Sequence, residues 1–296
     1  MLQPSRLTVV VNTGDDFEHL GLAISPDLDT MMYTLAGVNN PATGWGRAHE
    51  TWNFMSALGA LGGDAWFRLG DRDLAVHVLR TLALQRGATL SEITRTLAKR
   101  LGIRHNIVPM SDSPVRTRVL TSRRELAFQD YFVRRRCGPR VTGFRYSGSR
   151  KAGIAPALQK IMRTQKVLAV VICPSNPYLS VAPILSVSGI RAWMKQRNFP
   201  VVAVSPIVGG AALKGPAAKM MRELDCEVTA LGIVRHYGDC VDGWVIDRHD
   251  AKLQRAIERE GKTVIVADTV MSNRRKSAQL AQRVVAFARA LASERR

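Results

Sequence analysis

The chain has 296 residues, enough for about two compact domains or one large α/β domain carrying an insertion. Hydrophobic residues make up 46%, and 43 basic residues stand against 24 acidic ones, a net charge of +19. That composition excludes an intrinsically disordered chain, which combines high charge with low hydrophobicity, and it favours an anionic ligand over a cationic one. No apolar run approaches the roughly 18 residues a membrane span needs, and no signal-peptide pattern opens the chain. Cys137, Cys173, Cys226 and Cys240 have neither CxxC nor disulfide-framework spacing, so a cytoplasmic, reduced protein is expected. With the six histidines they show no zinc-ligand spacing either.

In chain order, Leu7–Val11 reads as a strand broken by the turn residues Asn12-Thr13-Gly14-Asp15-Asp16. Asp29 is a plausible helix N-cap before Met31–Ala36, and helical patterns follow over Ala48–Leu61, Asp71–Gln85 and Leu90–Leu101. Thr89 and Glu92 give the last of these a capping-box spacing. His105–Met110, Val115–Thr121, Glu125–Val133 and Arg140–Tyr146 read as short strands of an inserted, β-rich region. Strand candidates Val167–Cys173, Val201–Val204, Val228–Leu231, Trp244–Asp247 and Val264–Ala267 then alternate with helices, and a long helix closes the chain at about Asn273–Ser293. Alternation at both ends predicts an α/β fold: a Rossmann-like parallel sheet covered by helices, with a smaller mixed α+β insertion. The expected division is residues 1–104 and 154–296 for the two parts of the core and 105–153 for the insertion.

Ligands of open α/β sheets bind at the carboxyl ends of strands. Asp15, Asp16 and Asp29 are placed for that rim, where converging carboxylates hold a magnesium ion on phosphate oxygens; turn and cap chemistry explains the same residues as well. Arg68-Leu69-Gly70-Asp71-Arg72-Asp73 precedes a helix that carries His77 and Arg80 on one face, which suits an anion or a surface salt-bridge cluster. Pro174-Ser175-Asn176-Pro177 is a rigid polar turn after a strand. Val208–Lys219 follows another strand with Gly209, Gly210, Gly215 and two lysines, but Pro216 stands where a Walker A loop requires lysine. Seven basic residues and no acidic ones lie in Arg134–Lys151, with Phe144 and Tyr146 among them, which suits nucleic acid or a solvated loop. A nicotinamide oxidoreductase is disfavoured, because the first strand is followed by NTGDD rather than GxGxxG.

Taken together, VVVNTGDD (9–16), SPDLDTMMY (25–33), RLGDRD (68–73) with His77 and Arg80, PMSDSP (109–114), FQDYF (128–132), PSNPYLSVAPIL (174–185) and VVAVSPIVGGAALKGPAAK (201–219) resemble the 2-phospho-L-lactate transferase family of coenzyme F-420 biosynthesis. The resemblance runs in family order along nearly the whole chain. It implies transfer of a phospholactyl, phosphoenolpyruvyl or phosphoglyceryl group from its guanosine diphosphate adduct to the deazaflavin Fo, with release of GMP. It also implies a magnesium requirement and a homodimer; no membrane partner is expected from the sequence, and a nucleic-acid partner is disfavoured because it leaves Asp15, Asp16 and Asp29 without a role. By the match, Asp29 and Arg68 contact Fo from an open crevice; Asp16 and Asp29 are the candidate metal ligands, and one of them, Asp16 or Asp29, is the candidate catalytic carboxylate that accepts the hydroxyl proton. Arg72, His77, Arg80, Ser175, Asn176, Gly209, Gly210, Gly215 and Lys219 are the candidate phosphate and nucleotide contacts. Family members normally place a strand and a GGxGGxK-type loop ahead of the strand that starts here at Leu7. Met1–Arg6 is too short for both, so the expectation is either a start further upstream or an exposed sheet edge in a weakened or non-catalytic relative.

Overall fold

The computed structural model describes residues 2–164 and 166–294. The chain opens with β1 (Thr8–Val11), a hairpin of β2 (Phe17–His19) and β3 (Leu22–Ile24), and four helices, α1 (Pro26–Ala36), α2 (Asn53–Ala60), α3 (Asp71–Gln85) and α4 (Leu90–Arg100). β4 (Asn106–Pro109) returns as the parallel partner of β1. β5 (Arg116–Thr121), β6 (Glu125–Ala127) and β7 (Val141–Ser147) form an antiparallel sheet of order β6-β5-β7. Then come α5 (Pro156–Thr164), β8 (Val170–Ile172), α6 (Ala182–Ser186), α7 (Ile190–Lys195), β9 (Val201–Val204), the two-residue strands β10 (Ile207–Val208) and β11 (Ala211–Ala212), and α8 (Ala217–Glu223). α9 (Ala230–Tyr237), β12 (Gly243–Asp247), α10 (Gln254–Arg259), β13 (Thr263–Ala267) and α11 (Arg274–Glu294) complete it. The strands β8, β9, β12 and β13 make a parallel sheet of order β13-β12-β9-β8.

The apolar strands of that sheet are buried on both faces, as a parallel sheet between helices requires. Val202, Val204 and Val245 point to one face, where Leu280, Val284, Phe287, Ala288 and Leu291 of α11 recur at helical spacing. Val201, Ala203, Trp244 and Ile246 point to the other, against Ile233 and Val234 of α9. A Cβ on Gly243 would lie 2.6 Å from Leu291 and 2.8 Å from Phe287, so glycine is what lets α11 lie this close to β12. A second cluster packs α1, α3 and α4 on the β1–β4 pair through Leu28, Met32, Tyr33, Val76, Ile93 and Leu97. The two parallel ladders meet at their carboxyl ends: Asn12, just past β1, donates through Nδ2 to the carbonyl of Leu179 beyond β8, at 3.2 Å.

The α/β class holds, and so does the Thr89–Glu92 capping box. Several local expectations do not. β4 belongs to the core beside β1 rather than to the insertion. The strand expected over Glu125–Val133 stops at Ala127, and Asp130–Arg134 winds into a helical turn that buries Tyr131. The strand expected over Val228–Leu231 is the start of α9: the Thr229 hydroxyl accepts from the Gly232 amide at 3.0 Å and caps it. α1 begins at Pro26, behind Ser25, so Asp29 lies in the first turn and is not the cap. α2 is confined to Asn53–Ala60 because its start is capped from elsewhere, by Asp71 accepting from the amides of Asn53 and Phe54 at 3.0 and 3.1 Å.

Candidate active site

The turn after β1 carries the most unusual electrostatics of the molecule. Asn12 folds it, accepting from the Gly14 amide at 2.8 Å and donating to Asp27 at 2.9 Å. A Cβ on Gly14 would meet Thr117, Asn12 and Pro183 at 2.6–2.9 Å, so only glycine fits between the antiparallel sheet and the segment after β8. Asp15 and Asp16 are both buried, at 7% exposure each. The Asp16 Oδ2 accepts from the Ser25 hydroxyl at 2.8 Å. The other oxygen of Asp16, one oxygen of Asp15 and the hydroxyls of Thr13 and Thr117 are buried with no hydrogen-bond partner. Burial raises Asp15 well above the usual carboxylate range, with repulsion from Asp27 adding to it. Burial also raises Asp16, to about 7, even though Arg116 and the Ser25 hydroxyl pull the other way. Unpartnered buried carboxylate oxygens are costly, and they are the condition that a bound cation relieves.

Asp29 is organised differently. Its carboxylate is gripped by both terminal nitrogens of Arg80, with Nη1 to Oδ2 at 3.1 Å and Nη2 on Oδ1. The His77 Nδ1 lies 3.6 Å from Asp29, and its Nε2 lies 3.4 Å from Asp73, which also accepts from the Tyr33 hydroxyl. Burial raises Asp29 against the pull of Arg80 and His77. Among the described residues, Asp29, Asp73 and His77 are a group close enough to share an ion, but Arg80 already neutralises Asp29 there. At 4% exposure Asp29 is not the open-crevice residue the sequence suggested. His77 and Arg80, at 2% and 1%, are likewise interior, and they face Asp29 and Asp73 rather than an open phosphate site.

The RLGDRD segment is chiefly a capping device. Glu50 accepts from the amides of Arg72 and Asp73 at 2.8 and 2.9 Å and caps α3, while Asp71 caps α2. A Cβ on Gly70 would lie 2.4–2.6 Å from the Glu50 side chain. The Arg72 side chain is exposed at the start of α3. Arg68 lies 4.1 Å above the Trp52 ring and, with Asn40, Thr43, Trp45, Arg47, Glu50 and Asp73, lines an open cleft. Lys214, after β11, lies beside this cleft: its Nζ is 3.3 Å from where a Cβ on Gly44, between the lining residues Thr43 and Trp45, would sit.

The remaining candidates line the carboxyl rim of the large sheet. Ser175 is half-buried at the end of β8. The Asn176 side chain caps its own turn, accepting from the amides of Tyr178 and Leu179 at 2.9 and 3.1 Å. Gly209 and Gly210 adopt left-handed backbone, with φ of 57° and 80°, in the turn between β10 and β11, and Gly215 follows with φ of 72°. The Gly209 amide donates to both oxygens of Asp250, at 3.2 and 3.0 Å. Lys219 is not free for a ligand: its amine sits 2.6 and 2.7 Å from the two Glu223 oxygens and 3.0 Å from the Pro139 carbonyl. The second lysine of that loop is Lys214, the one that lies beside the cleft. Thr13 belongs to the NTGDD turn but is not singled out in the sequence, and no local signal points to Thr117, Arg116, Trp45 or Trp52. The basic stretch Arg134–Lys151 is not an aromatic binding strip, because Phe144 stacks on Tyr178 at 5.2 Å and the Tyr146 hydroxyl donates to the Tyr178 carbonyl.

Parallel strands that end in buried carboxylates and glycine turns define an α/β protein with its ligand residues at the carboxyl ends of its strands. A family model described as 2-phospho-L-lactate transferase CofD matches residues 2–286, and the chain belongs to that family. It is 38% identical to the 2-phospho-L-lactate transferase of Methanosarcina mazei, over 96% of this chain and 93% of that one. It is 39% identical to the phosphoenolpyruvate transferase of Streptomyces avermitilis, over 95% of this chain and 90% of that one. A crystal structure of a UPF0052-family protein from Bacillus halodurans shares the fold, with a TM-score of 0.60 over 94% of this chain and 90% of that one at 15% identity. The family and transferase readings of the sequence are therefore correct.

Proposed function

We propose that the chain transfers a phospho-linked three-carbon acid from its guanosine diphosphate adduct to the ribityl hydroxyl of Fo, releasing GMP, with Mg2+ as cofactor. The hydroxyl oxygen forms a bond to the phosphorus that bears the acid. The bond from that phosphorus to the GMP oxygen breaks with its electron pair, and the hydroxyl proton passes to a carboxylate. Such a reaction asks little covalent chemistry of the protein and much positioning and charge neutralisation.

The observation that carries this reading is the meeting of two surfaces. The cleft lined by Arg68, Trp45 and Trp52 suits a planar acceptor, and Lys214, after β11, lies beside it near Thr43 and Trp45. Asp73, on the same cleft, belongs to the Tyr33–His77–Asp29 network. Arg68 then stacks on or hydrogen-bonds the acceptor, and Asp29 orders the cleft through His77 and Asp73. The donor lies along Ser175, Asn176 and the Gly209–Gly215 turn. The orphaned oxygen of Asp16 is a better candidate to hold a divalent cation than Asp29, which Arg80 already neutralises. Bound there, the ion would neutralise charge on the phosphate oxygens and offset the burial cost of that carboxylate. Asp16, buried beside that ion, is the carboxylate that takes the hydroxyl proton.

The names of the relatives favour the phospholactyl and phosphoenolpyruvyl donors. The phosphoglyceryl adduct is the third to test. A cytoplasmic location fits the free state of all four cysteines, and no helix among the described residues is long and apolar enough to cross a membrane. A homodimer would cover the outer face of α3, where Val78, Leu79 and Leu82 are exposed. The test is incubation of the protein with Fo and each adduct, with product mass and GMP release followed by chromatography. Product from at least one adduct supports the reading, and no product from any of the three contradicts it.

A further inference from the structure

The carboxyl end of β12 carries a histidine that neither the family comparison nor the sequence reading assigned. Asp247, the last residue of the strand, is 2% exposed and accepts four hydrogen bonds. Two come from the Thr269 amide and hydroxyl, at 2.8 and 2.9 Å, and one from the His249 amide at 3.1 Å. The fourth is from the His249 ring, whose Nδ1 lies 2.6 Å from Asp247 Oδ1. The imidazole itself is 74% exposed. An exposed histidine ordinarily turns freely. This one has its ring fixed by a buried carboxylate, so that Nδ1 is occupied and Nε2 is the open nitrogen.

The surroundings of that ring point to an anionic ligand. A Cβ on Gly209 would lie 3.8 Å from the His249 Cβ, so His249 is rooted beside the Gly209–Gly210 turn, at the carboxyl end of the sheet where Ser175 and Asn176 also lie. The acidic groups around it are already engaged. Asp247 is committed as above, Asp250 is buried and accepts the Gly209 amide with both oxygens, and Asp268 pairs with Arg248 at 2.6 Å. The hydrogen bond to Asp247, and then the charges of Asp247, Asp250 and Asp268, raise the affinity of the imidazole for its proton.

We propose that His249, oriented by Asp247, is a phosphate contact of the nucleotide half of the site, its imidazolium Nε2–H donating to the phosphate of the departing GMP. The proposal rests on the transferase reading above. It makes His249 a binding residue and Asp247 a positioning residue, and it gives the site a pH response separate from that of Asp16. As the imidazolium loses its proton on raising the pH, the contact weakens. No proton or bond is exchanged at His249.

GMP binding, measured by calorimetry with the full chain between pH 6 and 9 and without turnover, tests this. GMP is already close to its dianion over most of that range, so the comparison with a variant isolates the protein's contribution. We expect His249→Asn to weaken GMP binding about tenfold at pH 6.5, to have little effect at pH 9, and to leave Fo binding unchanged. Asp247→Asn should shift the midpoint of the wild-type pH profile downward, which loss of packing alone would not do. A His249→Asn protein that folds and binds GMP with the wild-type affinity and pH profile would overturn the assignment of His249 alone. A wild-type protein that does not bind GMP at all would overturn the nucleotide reading with it.

Discussion

The two parallel ladders of this molecule solve the same problem in opposite ways. The sheet of β9, β12 and β13 is dry: its strands are apolar on both faces, and its polar groups begin where the strands end, at Ser205, Asp247 and Asp268. The β1–β4 ladder and its helices draw charge inside, with Asp16, Asp29, His77 and Arg80 all at 7% exposure or less. Loops on a rigid dry sheet can position a ligand without strain on the core. Charges inside a core acquire shifted proton affinities, which a rim in contact with water would not give them. On the proposed reading, the β1–β4 ladder supplies chemistry and the β9–β12–β13 sheet supplies binding.

That contrast can be broken most decisively at Asp16. Replacing it with Asn should lower the transfer rate by about 10²–10⁴-fold, the range expected for losing a positioned proton acceptor, while Fo binding persists. The same change should affect stability with a definite sign. Because the folded protein raises Asp16 to about 7, its native state holds the proton more tightly than the unfolded chain does. Stability from this group is therefore greatest in acid and is lost as pH rises from about 4 to about 7. Without metal, Asp16→Asn should unfold at a higher temperature than wild type at pH 8, and the gap should narrow as the pH falls and close only below about 4. The upper bound, three pKa units, is about 4 kcal/mol.

Asp29 should behave in the opposite way. Asp29→Ala leaves the buried Arg80 without its carboxylate, a loss on the order of 3–5 kcal/mol. Denaturant unfolding should show that loss at pH 7, and a neutral effect there would contradict the structural role given to the pair. Arg68→Ala should leave the fold intact, since the side chain is exposed, and raise the KM for Fo about tenfold with kcat little changed. Lys214→Ala should have the smallest effect, about a fivefold fall in kcat/KM that shrinks further as salt is added, because an exposed cation is screened. Steady-state kinetics at two ionic strengths would check it.

The α/β class, the long helices α3, α4 and α11 and the strands β9, β12 and β13 were legible because their apolar residues recur with clear helical or strand periods. What failed depended on distant partners. The start of α2 is set by Asp71 and the start of α3 by Glu50, and no local pattern carries that reciprocal capping. Val228-Thr229-Ala230-Leu231 looked like a strand because β-branched residues dominate its start, yet Thr229 is a helix cap. In the site, residue type alone could not separate the carboxylate with an open oxygen, Asp16, from the one closed by an arginine 51 positions away, Asp29. His249 was overlooked although it follows a strand end just as Asp15 and Asp16 do.

The central claim is that the turn after β1, with Asp16 at its heart, is where the metal and the reacting phosphate meet. Magnesium binding in the presence of GMP, followed by calorimetry on wild type, Asp16→Asn and Arg68→Ala, tests it most directly. The account predicts that wild type and Arg68→Ala bind one ion per chain and that Asp16→Asn loses at least about tenfold in magnesium affinity while still binding GMP. Unchanged magnesium affinity in a folded Asp16→Asn protein would contradict it.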